Sequence, residues 1–168
     1  MEYTATLDWK SKIITAIFTM VFGGLLFLIT SQINIGPFSY LETFLIIGFD
    51  IFILSIYVGI YLYRPLKYII YDDRIVVKRP HKDVVILISQ IKDAFIVRHE
   101  SMQMTERIGG NGGIFGYFGD FKNGFGIMKW YATKTDNYIM IQTFDNDNIV
   151  LTPDDVNMIK EIKKLIAK

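Results

Sequence analysis

Apolar and polar positions follow two regimes along this chain. Residues 13–30, IITAIFTMVFGGLLFLIT, are a run of 18 uncharged positions. Residues 43–63, TFLIIGFDIFILSIYVGIYLY, are a run of 21 with one charge, Asp50. At helical rise the first covers roughly 27 Å, close to the thickness of a bilayer core. Both runs are longer than most buried core helices, so the pattern predicts two membrane spans joined by residues 31–42. From Lys67 onward the period shortens to two. Residues 67–71, 74–78, 84–88, 93–98, 126–133, 138–144 and 148–152 then predict short strands, with turns at Asp72-Asp73, at residues 134–137 and at residues 145–148. Thr152 has the chemistry of an N-cap, Pro153 suits a first helical turn, and Asp154 and Asp155 suit the positive end of a helix dipole. Beyond them Met158, Ile159, Ile162, Leu165 and Ile166 share one helical face, with Lys160, Glu161, Lys163, Lys164 and Lys168 opposite.

Charge adds an orientation. Residues 1–63 sum to −2 and residues 64–168 to +3. The connector 31–42 has no Lys or Arg, whereas Lys10 and Lys12 flank one end of the pair and Arg64, Lys67, Arg74, Lys78 and Arg79 the other. The positive-inside rule therefore places both termini in the cytoplasm. Tyr57, Tyr61 and Tyr63 suit an interfacial belt, and Pro65 ends the second helix. The first run exceeds a signal-peptide core and no small-x-small site follows it at Ser31-Gln32-Ile33-Asn34, which predicts an uncleaved anchor. The expected organisation is a cytoplasmic segment 1–12, a transmembrane hairpin 13–63 and a cytoplasmic domain 64–168.

Composition removes several function classes. With 51% hydrophobic residues, mean hydropathy +0.31 and net charge +1, the chain is neither a disordered segment nor a nucleic-acid binder acting through bulk positive charge. It has no Cys and two His, His81 and His99, which speaks against thiolate or histidine-rich metal sites. The Gly-rich tract lacks the Lys of a Walker A loop, and Phe115 stands where G-x-G-x-x-G needs its last Gly. Asp145-Asn146-Asp147-Asn148 fails as a calcium loop, with Val150 at the Gly position and Val156 at the Glu position. No nucleophile, base and orienting group come together at convincing spacing. The expectation is a protein that is not an enzyme, with no catalytic residue, metal or cofactor.

Three features remain as candidates. Asp50, inside an apolar run, costs about 2.5–3.5 kcal/mol on insertion scales and needs a partner, water or a proton. It reads as a lock on a helix pair or subunit contact at the depth of Gly23 and Gly24, where a bare backbone allows close approach, as a proton-linked site, or as a tolerated polar residue hydrogen-bonded locally. The tract 109–126, GGNGGIFGYFGDFKNGFG, reads either as a glycine-tolerant loop packing aromatics over the end of a strand barrel or as one dipping them into the bilayer interface or a partner. The basic run at 78–82 reads as a solvated turn or, by strand parity, as a turn brought back to the membrane, where each cation is worth about 1 kcal/mol with anionic lipid. Lys78, Arg79 and Lys82 together with Phe115, Tyr117, Phe118 and Phe121 are thus expected to form one membrane-surface or partner-contacting face.

YRPLKYIIYDDRIVVKR, GGIFGYFGDFKNGFG and NIVLTPDDVNMIKEI, set behind the two apolar runs, give the chain a resemblance. It resembles the membrane-anchored bacterial PH-like (pleckstrin-homology-like) domain proteins. The resemblance implies a two-helix transmembrane hairpin followed by an α+β PH-like domain, seven antiparallel strands in a barrel-like meander capped by a C-terminal amphipathic helix. It also implies membrane association and self-association. Lipid-binding eukaryotic PH domains hold inositol phosphates on a long basic loop between their first two strands. Here that loop is Asp72-Asp73, so phosphoinositide recognition is not expected there. The expected role is a non-catalytic interaction or assembly module at the bacterial inner membrane. Its expected partners are the lipid bilayer, anionic lipid headgroups and a homo-oligomer or membrane protein. The alternative is an accessory or regulatory subunit of a transport or envelope-stress complex. A reporter that works only in the cytoplasm, fused after Lys168, is expected to be active, and one that works only outside it to be silent.

Overall fold

The computed structural model describes residues 1–33 and 39–167; residues 34–38, within the predicted external connector, lie outside the described residues. The first apolar run becomes helix α1, Trp9–Ile33, and the second becomes α2, Tyr40–Tyr63. Both begin a few residues before the apolar runs because their capping groups lie upstream. Asp8 caps α1 by accepting from the Ser11 N–H at 2.7 Å. Ser39 and Glu42 cap α2 reciprocally, the Ser39 N–H donating to Glu42 Oε2 at 2.8 Å and the Glu42 N–H to Ser39 Oγ at 3.3 Å.

The two helices are long and apolar enough to cross a membrane. The less exposed positions recur at steps of three and four: Ser11, Thr15, Phe18, Phe22, Leu26 and Ile29 on α1, and Thr43, Ile46, Asp50, Ile53, Tyr57 and Ile60 on α2. That is the seam expected of two helices packed lengthwise. Tyr57 joins them, its hydroxyl 2.8 Å from Thr19 Oγ1 and its ring stacked on Phe18 and Phe22. Outward positions such as Ile17, Met20, Phe27, Phe44 and Ile51 stay exposed. An apolar surface of that extent needs a cover other than water, which suits membrane association.

Behind the helices, ten strands among the described residues form two open sheets. The smaller has the order β1 (Glu2–Thr4), β2 (Lys67–Ile70), β3 (Arg74–Lys78), β4 (Val84–Leu87). The larger contains β5 (Ile91–Val97), β6 (Glu106–Gly113), β7 (Gly116–Asn123), β8 (Gly126–Ala132), β9 (Tyr138–Thr143) and β10 (Asn148–Leu151), in the order β5-β9-β10-β8-β7-β6.

This corrects the expected seven-stranded closed meander in three ways. The sheets do not close, because β4 hands over to β5 through a turn at Ile88–Gln90 and the two strands do not pair. Three strands were not foreseen: β1, which is only three residues long, and β6 and β7, whose glycines hide the alternation of side chains. Finally, β10 lies parallel to β8, in the register Val150 opposite Trp130, with β9 and its flanking turns serving as the crossover such a pair requires.

β9 shows why the sheets hold together. Ile139 and Ile141 face one apolar cluster, shared with Tyr68, Ile75 and Val77 of the small sheet. Tyr138 and Met140 face a second, with Trp130, Phe121 and Val150. A last helix, α3 (Met158–Ile166), lays Met158, Ile159 and Ile162 on the first cluster, along the predicted stripe. Its start is later than the capping signals at residues 152–155 suggest. Thr152 is committed to the sheet instead, its Oγ1 accepting from the Thr133 N–H at 2.9 Å and its own N–H donating to Tyr68 Oη at 3.2 Å.

Asp154 fastens the N-terminal strand to this sheet domain. Its carboxylate accepts from Thr6 Oγ1 at 2.8 Å, from the Thr6 N–H at 3.2 Å and from Lys134 Nζ at 2.9 Å. Burial alone would raise its pKa, but hydrogen bonds from Thr4, Lys134 and Thr6 outweigh it and hold the carboxyl at about 2. A depressed carboxylate stabilises the fold above its unfolded value, about 3.8, and that stabilisation is lost as pH falls through about 2. Asp154→Asn is expected to cost about 1–2 kcal/mol at neutral pH. In thermal unfolding of the full chain this appears as a midpoint several degrees lower. The gap to wild type narrows as the pH is lowered from about 4 to 2.

Candidate functional site

The site is the junction where the sheet domain meets the start of α1 and the end of α2. The glycine tract builds it. β6 and β7 approach so closely that a Cβ on Gly119 (φ +120°) would lie 2.4 Å from the Gly109 carbonyl oxygen, so only glycine fits. This narrow ribbon ends in the turn Ile114-Phe115, with Phe115 at φ 58°. Asn111 holds the turn from inside, its Nδ2 donating to the carbonyls of Ile114 and Gly116.

The tip then docks between the helices. Ser11 Oγ donates to the Gly113 carbonyl at 2.6 Å, and the Phe115 N–H donates to Thr15 Oγ1 at 2.8 Å. The Phe115 ring meets the edges of Tyr57 and Tyr61, each with centroids 5.4 Å apart. Arg64 covers the group, its guanidinium carbon 4.3 Å from the Tyr61 centroid and 5.7 Å from that of Phe115. Asp8 completes the joint on the other side. While one carboxylate oxygen caps α1, the other accepts from the N–H and hydroxyl of Thr135 at 3.1 and 3.2 Å. Burial first, and then the neighbouring Asp8 carboxylate, push the Tyr117 hydroxyl up to about 12.

The predicted face divides. Phe115, Phe118 and Phe121 are 9%, 8% and 6% exposed, so they are spent on the protein's own packing, and Tyr117 is half-buried. Phe121 stacks on Trp130 at 4.5 Å. The basic turn does return to the helix end, as strand parity suggests: the His81 N–H donates to the Leu62 carbonyl at 3.1 Å and the His81 ring meets Tyr63. Within it Lys78 pairs with Asp83, which raises the lysine's pKa and lowers the carboxylate's. Arg79 lies over Tyr63 at 5.2 Å and Tyr131 at 5.8 Å, and Lys82 is exposed. The tyrosines offered as an interfacial belt are thus contacts of this joint.

Asp50 sits on the α2 side of the helix seam, and its Oδ1 is buried with no hydrogen-bond partner among the described residues. Between α1 and α2, Gly23 and Gly24 do not serve a close approach: among the described residues a Cβ at either would meet no atom of α2 within 4 Å. The helices are instead drawn together nearer the sheet domain, at Tyr57. Sequence reasoning missed Ser11, Thr15 and Asp8. The first two read as tolerated small polar residues beside or within an apolar run; Asp8 carried a signal, as an N-cap residue just ahead of that run.

Two hollows flank β6. One, about 730 Å³, lies between α2 and the ribbon. The other, about 500 Å³, is lined by Tyr117, Phe121, Trp130 and Tyr138 with Lys10, His99 and Arg107. Among the described residues no group of three His, Cys, Asp or Glu gathers to hold a metal.

The chain is thus a pair of open sheets with a C-terminal helix, clasped to a hairpin of two apolar helices. Residues 66–165 match the family model described as a bacterial PH domain, and the chain belongs to that family. No curated protein and no solved structure matches the chain.

Thr15→Val keeps side-chain shape but removes the acceptor for the Phe115 N–H, a loss worth about 1–3 kcal/mol. Hydrogen exchange is expected to speed at the Phe115 amide by about ten-fold or more, while amides of β9 keep their protection.

Proposed function

We propose that this protein is a non-catalytic membrane module whose hairpin spans the inner membrane and holds its PH-like domain against the cytoplasmic face for assembly with other protein chains. The observation that carries this reading is the pairing of β1 with β2, Glu2 opposite Ile69. One strand precedes α1 and the other follows α2, so two spanning helices between them must enter and leave on the same side. The cationic flanks Lys10, Lys12, Arg64 and Arg79 favour the cytoplasm as that side.

The docked tip gives the domain one orientation, and an oriented domain presents the same surface to every partner. The surface best suited to assembly is the free edge strand β4, whose Val85 and Leu87 are 51% and 40% exposed. An apolar edge with unpaired backbone groups invites a further strand, and a second copy of this chain supplies one.

The absence of cysteine makes the test direct. Val85→Cys in the full chain, in its native membrane, is expected to cross-link into a dimer of twice the 19.5 kDa chain. Val85→Lys should reduce assembly measured by light scattering in mild detergent. A chain that stays monomeric and uncross-linked in its own membrane counts against self-assembly. A stoichiometric transporter co-purifying with it would move the reading to an accessory subunit.

A further inference from the structure

The hollow between α2 and the β6–β7 ribbon is two-sided. Phe18, Ile56, Gly59 and Ile60 wall it from the helices, and Arg79 and Arg107 reach it from the sheet domain. Ile56 is 46% exposed and continues the outward apolar surface of α2, so the apolar side opens toward whatever covers that surface. Among the described residues neither arginine forms an ion pair with a carboxylate. Arg79 is held in place beforehand: its guanidinium lies over Tyr63 and Tyr131, and its Nε donates to the Lys82 carbonyl. An arginine fixed in this way keeps its terminal N–H groups for a bidentate acceptor such as a phosphate, with little ordering left to do on binding.

We infer that this hollow binds one anionic glycerophospholipid from the cytoplasmic leaflet, with its phosphate on Arg79 and Arg107 and the upper part of one acyl chain against Ile56, Gly59 and Ile60. Three features select that ligand. Its polarity, an apolar wall at one end and unpaired cations at the other, matches an amphiphile with an anionic head. The volume, about 730 Å³, lies in the range of small-molecule sites, and the remainder of the lipid stays in the bilayer. Gly59 leaves the wall bare, since a Cβ there would meet no atom within 4 Å. A zwitterionic choline head would set its own cation beside two arginines and is disfavoured. The site is separate from the acidic Asp72-Asp73 turn, at the far end of β3 from Lys78. The inference rests on the reading above that the helices span a membrane.

The test is native mass spectrometry of the full chain, released from micelles containing equal phosphatidylglycerol and phosphatidylcholine. One phosphatidylglycerol is expected to be retained, with about ten-fold preference or more. Arg79→Ala with Arg107→Ala should abolish the preference, and the paired Arg→Lys variant should keep part of it. Gly59→Leu fills the apolar wall without touching either arginine and should remove the lipid while thermal unfolding stays at the wild-type midpoint. Equal retention of the two lipids, or unchanged retention in both the double alanine and the leucine variants, overturns the site. Displacement of the lipid by millimolar glycerol phosphate would mean that the hollow takes a free phosphate compound rather than a lipid. Recovery of the chain in the soluble fraction without detergent would overturn the spanning reading instead.

Discussion

The seating of the Ile114-Phe115 turn between two apolar helices sets the constraint on which the rest of the structure depends. A turn brought among apolar side chains carries backbone groups that need partners, since an unpaired buried donor costs about 1–3 kcal/mol. Ser11 and Thr15 supply those partners, one turn apart on α1. Their presence lets a glycine ribbon reach the helices, and the ribbon's narrowness in turn lets the Phe115 ring enter between Tyr57 and Tyr61. The small sheet is attached independently through Asp154 and Thr6, so helices and sheets are held at two separated places and cannot swivel about a single linker.

The same joint explains which side chains are left for the surroundings. Aromatics at the ribbon are consumed by packing, and Lys78 is matched by Asp83. Arg79 and Arg107 keep their charge beside an apolar wall. Among the described residues neither has a carboxylate partner, and Arg79 is held instead by the rings of Tyr63 and Tyr131.

Much of this architecture was legible in the residues. The helices followed from two long apolar runs, the strands predicted at residues 74–78 and 138–144 from their short apolar runs between turn signals, and the final helix from the spacing of Met158, Ile162 and Leu165. What was not legible has common physical causes. A strand in which glycine fills many positions shows no alternation to detect, so β6 and β7 passed for a loop. A three-residue strand such as β1 is too short for any period. The parallel placement of β10 beside β8 depends on which neighbours cover Val150 and Trp130, a tertiary outcome with no local signature. The capping chemistry at residues 152–155 was real but was claimed by the sheet and by Thr6. At the site, Arg79 stood out by charge, while Arg107 acquired meaning only when the ribbon carried it to α2.

The pairing of the first strand with the fourth segment of the chain also bears on biosynthesis. Residues 2–4 leave the ribosome before either helix, yet their partner, residues 67–69, follows both. Throughout that interval the opening strand has no sheet to join. A free loop of this length would have to search for closure at an entropic cost. Here the two helices, by pairing with one another, hold the ends close together. Helix pairing thereby shortens the search that completes the small sheet and sets Thr6 beside Asp154. The sheet domain is thus a latch across the base of the hairpin: its first strand lies before α1 and that strand's partner after α2, so the small sheet is complete only when both ends of the hairpin are together.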